Sequence, residues 1–257
     1  MSRVVVTGSS DGIGRETARQ LIDAGREVIG HARDADRAKE LRAALPGLRD
    51  VLIGDLASLA QTRALAAAIA DAGPFDAVVH NAGIGGGAPE RVETADGFER
   101  IFQVNTVAPY VLTALAPRPA RLVYLTSGLE AQGRVTFDDL QWSSRPWDGM
   151  QAYSDSKLFD VVLAFAVARR WPDVLATAVD PGWIKTKLGG PDAWDEVDDG
   201  AATQVWLATS DDAAARVSGV YLKRFEQLEA NPAASDVDVQ DGLLAALADL
   251  TGVELPR

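Results

Sequence analysis

The chain has 257 residues, 47% of them hydrophobic, which is material for a sizeable core in one domain or at most two small ones. Twenty-five Lys and Arg against 37 Asp and Glu leave a net charge of -12, which argues against a basic groove for nucleic acid. The absence of cysteine excludes disulfides, thiolate catalysis and Cys-ligated metals, and two histidines leave little for a His-based metal site.

Met1 to Gly8 run straight into a β-type segment with no export signal, so a cytoplasmic protein is the expectation. Val4 to Val6 predict a strand ending in a Gly-rich turn, followed by a helix from about Arg15 to Ala24 that Gly25 stops. Glu27 to Gly30 read as a second strand, Ala35 to Leu45 as a helix, and Val51 to Ile53 as a third strand ending at Asp55. Leu59 to Ala70 are helical by composition, and Ala77 to His80 form a buried-type strand. A helix from Phe98 to about Leu115 and a strand from Arg121 to Thr126 come next. A polar, Trp-containing connection leads to a long helix beginning near Tyr153. Leu158 to Ala168 is the most apolar helical stretch, but Asp160 interrupts it and Arg169-Arg170 follow, so no membrane span is expected. Strands at Leu175 to Val179 and Gly219 to Leu222 enclose a helix at Gly200 to Ala208, and a last helix runs from about Val237 to Leu250. Seven strands alternating with helices imply one α/β domain over residues 1–257, with a mostly parallel, doubly wound seven-stranded sheet flanked by helices.

Thr7-Gly8-Ser9-Ser10-Asp11-Gly12-Ile13-Gly14 joins the first strand to the first helix, where glycines allow a tight turn and close approach of a pyrophosphate to backbone N–H groups. The Gly-x-x-x-Gly-x-Gly spacing departs from the common dinucleotide fingerprint and lacks the Gly-Lys-Ser/Thr of a nucleotide-hydrolysing loop. Ala32-Arg33, with no carboxylate closing the second strand, favour the 2'-phosphate of NADP(H) over NAD(H); Arg15, Arg37 and Lys39 are weaker phosphate candidates, and Asp11 is an opposing charge. A merely solubilising Arg33 is the rival reading. Asp55 is a candidate for the adenine amino group beside Leu56, or else a helix cap. Asn81-Ala82-Gly83 offer small residues beside a ribose, or simply a turn.

Tyr153-Ser154-Asp155-Ser156-Lys157 places a phenol and an ammonium one helical turn apart on one face, where the cation favours the phenolate and can orient ribose hydroxyls. Ser127 closes the strand Val123 to Ser127, near the sheet's carboxyl edge, with a hydroxyl for a developing oxyanion; Thr126 is the weaker alternative. Asn105 is a candidate for a proton relay or for an internal hydrogen bond.

Taken together, these motifs resemble those of the classical short-chain dehydrogenase/reductase family, over a stretch reaching from the first strand to about Leu222. The resemblance implies a single-domain Rossmann fold and a nicotinamide-dependent oxidoreductase, with Ser127, Tyr153, Lys157 and Asn105 as its reacting set. It further implies that Pro181, Gly182, Ile184 and Thr186 line the nicotinamide, through backbone near Ile184 and the hydroxyl of Thr186. Arg33 and the 26 positions from Ser127 to Tyr153 are similar to the retinol dehydrogenase and protochlorophyllide reductase branch. The insertion, about residues 129–150, would shape the substrate mouth. The extension, about 227–257, would cap an edge, cover the pocket or mediate assembly.

His31 reads as lying beside the cofactor phosphate or solvated, and His80 as hydrogen-bonded at a strand end. Trp183, Trp194 and Trp206 are pocket or packing residues. Asp192 to Asp199 read as a flexible solvated lid rather than a metal cluster, and no metal site is expected. The function that follows is hydride transfer between NADP(H) and a small or medium apolar alcohol or carbonyl compound. Reduction of an activated C=C bond and a non-catalytic, cofactor-responsive regulator are the alternatives. A homodimer or homotetramer is plausible from the resemblance.

Overall fold

A computed structural model describes residues 2–257. Eight strands form one sheet in the order β3-β2-β1-β4-β5-β6-β7-β8. They are β1 Arg3–Val6, β2 Glu27–Ala32, β3 Asp50–Ile53, β4 Ala77–His80, β5 Arg121–Leu125, β6 Leu175–Asp180, β7 Val220–Lys223 and β8 Glu226–Leu228. All neighbours are parallel except β7 and β8.

The strands are apolar on both faces because helices cover both. On β1, Val4 and Val6 pack with Ala18, Leu21, Leu41 and Leu207, whereas Val5 packs on the opposite face with Leu65, Ile69 and Tyr110, as the two-residue period of a strand requires. The first face is covered by α1 (Gly12–Asp23), α2 (Ala35–Ala44) and α7 (Val197–Thr209). The second is covered by α3 (Leu59–Ala72), α5 (Ala108–Leu115), α6 (Gly149–Arg170) and α8 (Val237–Thr251). Side-chain caps set the helix starts: Asp11 for α1, Asp34 for α2, Ser58 for α3 and Asp148 for α6. The chain runs outward from β1 to β3 and then returns to β4 on the other side of β1, so the strand order reverses between β1 and β4. The crevice at the carboxyl ends of those two strands is where open α/β sheets take ligands.

Three features depart from the sequence expectation. The sheet has eight strands rather than seven, because β7 turns back through Arg224 and Phe225, both at positive φ, into a three-residue edge strand. Arg-Phe carries none of the Asn-Gly chemistry that marks such a turn. The expected helix from Phe98 is broken into α4 (Arg100–Phe102), a π-turn (Gln103–Val107) and α5. Helix α6 begins four residues before Tyr153, at Gly149, where Asp148 receives the N–H groups of Met150 and Gln151.

The C-terminal stretch lies along the protein. Leu243 and Leu247 of α8 are fully buried in the core that includes α6, β8 caps the β7 edge, and Asn231 ties the stretch to the insertion: its N–H donates to Glu130 at 3.0 Å and its amide to the Gly133 carbonyl at 3.2 Å.

Candidate active site

The turn after β1 is built for close backbone approach. Gly8 has φ +64°, and a Cβ there would lie 2.8 Å from the Ala82 Cα; a Cβ at Gly14 would lie 2.3 Å from the Asn81 Nδ2. These two glycines therefore let α1 and the Asn81-Ala82-Gly83 turn sit against each other. Asn81 closes the junction by donating its amide to the Thr7 carbonyl at 2.8 Å, while the Thr7 hydroxyl receives the N–H groups of Asn81 and Ala82 at 3.0 and 3.1 Å. Asp11 accepts from the Gly12 N–H at 2.9 Å, and the N–H groups of Ile13 and Gly14 in the same first turn have no acceptor among the described residues. Ser10 is half-buried beside them. Unpaired first-turn N–H groups over a glycine cradle fit the pyrophosphate of a dinucleotide.

His31 is not solvated. It is buried on β2, with Nδ1 accepting from the Gly8 N–H at 3.0 Å and Nε2 2.8 Å from the Gly54 carbonyl, so it braces the turn from below. Burial holds its pKa below the ordinary imidazole value, in keeping with a neutral ring whose Nδ1 is an acceptor. Ser9 supports the same brace by accepting the His31 N–H at 2.8 Å.

Just past β2, Ala32 is buried and the Arg33 side chain is 70% exposed, its one partner among the described residues being the neighbouring Asp34 at 3.0 Å. Arg37 pairs with Glu40 at 3.0 Å and comes to 3.9 Å from Asp11. Asp11 also meets Lys187 at 2.5 Å and Arg15 at 3.8 Å, and the Lys187 ammonium holds its carboxyl below the usual range. Asp55 is not the cap of α3, which is Ser58; its carboxylate receives the Ala57 N–H at 2.9 Å while Leu56 is buried beside it.

The ends of β4 and β5 and the first turns of α6 converge. The Thr126 hydroxyl donates to the Lys157 carbonyl at 2.6 Å and the Lys157 ammonium donates to the Leu125 carbonyl at 2.9 Å, which stitches α6 to the end of β5. Thr126 is thereby committed to structure, whereas the half-buried Ser127 hydroxyl holds only a long contact, accepting the Leu129 N–H at 3.3 Å. The Tyr153 hydroxyl has no partner among the described residues, and its half-buried ring packs against the cluster of Ile101, Trp142 and Ala152. Asn105, presented by the π-turn, accepts the Ile84 N–H at 2.9 Å and donates to the Ile84 carbonyl and to the Ser156 hydroxyl, both at 3.0 Å. Ser156 in turn donates to the Tyr153 carbonyl at 2.7 Å. Gly83 lies next to this network, a Cβ there standing 3.5 Å from both the Asn105 Oδ1 and the Lys157 Nζ. A free phenol, a loosely held serine and a fixed ammonium are the parts needed to stabilise a carbonyl oxygen and exchange a proton with it.

The loop after β6 covers the crevice. Asp180 receives the Gly182 N–H at 2.9 Å, and Gly182, following Pro181, takes φ +99°. Ile184 is buried against Gly200, Thr186 touches the position of a Gly12 Cβ at 3.2 Å, and Leu188 reaches Gly85. With Asp11, Arg15 and Lys185, the residues Gly12, Thr186 and Lys187 line a cleft of about 820 Å³. In the segment expected to be a flexible, solvated lid, Asp192, Glu196, Asp198 and Asp199 are exposed, while Asp195 is held in place: it receives the Trp183 N–H at 3.1 Å and contacts Arg224, and its backbone bridges Ile184. Among the described residues no group of acidic or His side chains is arranged to hold a metal. Trp183 and Trp194 form an exposed edge-to-face pair at 4.5 Å, and Trp206 packs on Phe225.

Residues 2–196 match the short chain dehydrogenase family. The chain belongs to that family. It is 40% identical over 260 residues to the short-chain dehydrogenase chyC of Penicillium rubens, covering 100% of both chains. To retinol dehydrogenase 13 of Homo sapiens it is 32% identical over 288 residues, covering 98% of this chain and 85% of that one. The crystal structure of an uncharacterized protein from Mycobacterium paratuberculosis superposes with a TM-score of 0.87 at 28% identity, covering 100% of this chain and 96% of the other. This short-chain dehydrogenase is accordingly an oxidoreductase with a Rossmann-like α/β fold. No helix among the described residues is long and apolar enough to cross a membrane.

Four residues of the site escaped the sequence reading. Asp155, inside the Tyr153-to-Lys157 motif, anchors the insertion by pairing with Arg145 at 3.2 Å. Ser156 couples Asn105 to α6, and Lys187 ties the covering loop to Asp11. Asp160 pairs with Lys157 at 2.7 Å, and its signal was an acidic residue inside an apolar helical stretch.

Proposed function

We propose that this short-chain dehydrogenase moves hydride between NADP(H) and a small or medium apolar alcohol or carbonyl compound. The observation that carries the reading is the Lys157 ammonium fixed on the Leu125 carbonyl and 5.9 Å from the Tyr153 ring centroid, with the loosely held Ser127 two residues past Leu125. A bound nicotinamide supplies or accepts the hydride. Ser127 donates its hydroxyl to the substrate oxygen, and Tyr153 gives that oxygen a proton at Oη in reduction or takes one in oxidation. Lys157 supports the phenol electrostatically and offers its remaining N–H to the ribose, while Asn105 keeps the Asn81-to-Ile84 turn in register with α6. Gly8, Ser10, Gly12, Ile13 and Gly14 hold the pyrophosphate. Asp55 and Leu56 hold the adenine; Asn81, Ala82 and Gly83 border the ribose; Pro181, Gly182, Ile184 and Thr186 border the nicotinamide.

NADP(H) rather than NAD(H) is supported by the exposed Arg33 guanidinium just past β2, which closes on Ala32 rather than on a carboxylate. Apolar substrates are supported by Trp147, which packs in the same cluster as the Tyr153 ring, and by Leu188 over Gly85. A panel of ketones and aldehydes, followed by absorbance of NADPH and NADH with product analysis, tests the reading. Turnover with NADPH giving the alcohol supports it; inertness toward the whole panel, or saturation of only the C=C bond, contradicts it.

A further inference from the structure

We propose that Asp160 is a positioning residue of this site, holding the Lys157 ammonium charged and fixed beneath the end of β5. The inference rests on the hydride-transfer reading and deepens it. Asp160 lies three residues after Lys157 on α6, their atoms meet at 2.7 Å, and the two side chains are 6% and 4% exposed. With the Leu125 carbonyl at 2.9 Å, Asp160 takes two of the three N–H directions of Lys157. The space beside Gly83 lies close to Nζ. An ammonium held on two sides has little rotamer freedom left to lose when a ligand takes the third.

Burial sets the need for such a partner. An isolated lysine in a site this dry sheds its proton, because the charged form is the one that loses hydration. Burial opposes the Lys157 charge, but the nearby Asp160 and Tyr153 more than offset it, so the ammonium is held above its ordinary value. Burial pushes Asp160 up to about 6 against the pull of Lys157. Besides Lys157, the titratable group facing Asp160 is Tyr124 on β5, whose hydroxyl is engaged by Thr113 at 2.7 Å, while Tyr153 faces the Lys157 ammonium. Asp160 makes no bond to backbone, so capping or helix repair does not account for it.

The chain has five lysines, so lysine carrying ¹³C at the ε position gives a spectrum in which Lys157→Met assigns the Lys157 signal. In the native protein, without cofactor, that signal is expected to shift as Asp160 titrates near pH 6 and to remain that of an ammonium through about pH 10. In Asp160→Asn the shift near pH 6 disappears and the Lys157 titration falls by roughly two to four pH units. In the same variant kcat falls about 10- to 100-fold while the carbonyl KM changes little, because the proton-transfer group is still present. Asp160→Glu, which keeps the charge, is expected to restore the ammonium. A native Lys157 that sheds its proton several units below the ordinary lysine value of about 10 overturns the inference, and so does an unchanged Lys157 titration in folded Asp160→Asn. Should Asp160→Asn not fold, the native Lys157 titration decides, an ammonium kept to about pH 10 supporting the inference and an early loss of the proton overturning it. Failure of the hydride-transfer reading appears instead as inertness of the native enzyme, a result separate from the spectra.

Discussion

Asn105 satisfies both backbone polar groups of Ile84, accepting its N–H at 2.9 Å and donating to its carbonyl at 3.0 Å. The π-turn makes this possible by placing one extra residue in the helix, which brings the carboxamide onto the turn that follows β4. Removing the side chain in Asn105→Ala strands two backbone groups at a cost of roughly 1–3 kcal/mol each. The expected outcome is faster exchange of the Ile84 amide and reduced turnover, read by hydrogen exchange and kinetics on the same preparation. Unchanged exchange would mean that Asn105 does not hold the turn.

Among the described residues Arg33 has no partner but Asp34, which leaves its guanidinium open to the proposed 2'-phosphate. Arg33→Ala is expected to raise the NADPH dissociation constant about tenfold, as for loss of one charge-assisted hydrogen bond of roughly 1.5 kcal/mol, and to leave NADH binding almost unchanged. Calorimetry of both cofactors at one ionic strength checks this. Equal losses for both would assign Arg33 to the fold rather than to the phosphate.

Much of this architecture is legible in the sequence because its determinants are local. A valine run followed by Gly8, Gly12 and Gly14 specifies strand, turn and helix, and the spacing from Tyr153 to Lys157 puts both on one helix face. What stays hidden depends on distant partners. His31 looks like a surface residue until β2 pairs with β1 and brings its ring under the Gly8 N–H. Asp160 looks like a polar interruption until α6 packs on β5. The β7–β8 hairpin rests on two positive-φ residues that carry no turn signature, and the π-turn leaves no compositional trace.

Both histidines are buried, and burial lowers His80 to about 3. A group whose folded pKa is depressed contributes stability above its unfolded value, near 6.5, and loses it as pH falls, because the unfolded chain takes up a proton that the native state refuses. Asp160, raised by burial, works in the opposite sense between about pH 4 and 6 and shallows the net slope. Urea unfolding of the native protein and His80→Gln between pH 5 and 7.5 isolates the histidine. The native protein is expected to lose stability relative to the variant by up to about 1.4 kcal/mol per pH unit below pH 6.5. A difference that does not change with pH would contradict a neutral, buried His80.

The insertion is ordered by a carboxylate and a stacked cation. Arg145 lies 3.6 Å over the Trp142 ring and pairs with Asp155, while Trp147 donates to the Ala88 carbonyl at 3.0 Å. Trp147 packs in the same cluster as the Tyr153 ring, whereas Phe137 lies against Gly242 of α8. Trp147→Ala is therefore expected to reorder a carbonyl substrate panel by kcat/KM, and Phe137→Ala to preserve the order. Reordering by Phe137→Ala alone would move the substrate mouth toward α8.

The hydroxyl of Tyr153 carries the central claim, because it is unpartnered and sits one helical turn from Lys157. Tyr153→Phe keeps the ring packed on the cluster of Ile101, Trp142 and Ala152 and removes only the atom proposed to transfer the proton. Single-turnover hydride transfer in the folded, NADPH-saturated variant is the most direct test, and the rate is expected to fall roughly 10²–10⁴-fold with cofactor affinity largely retained. A rate equal to that of the native enzyme from acid to alkaline pH would contradict the assignment.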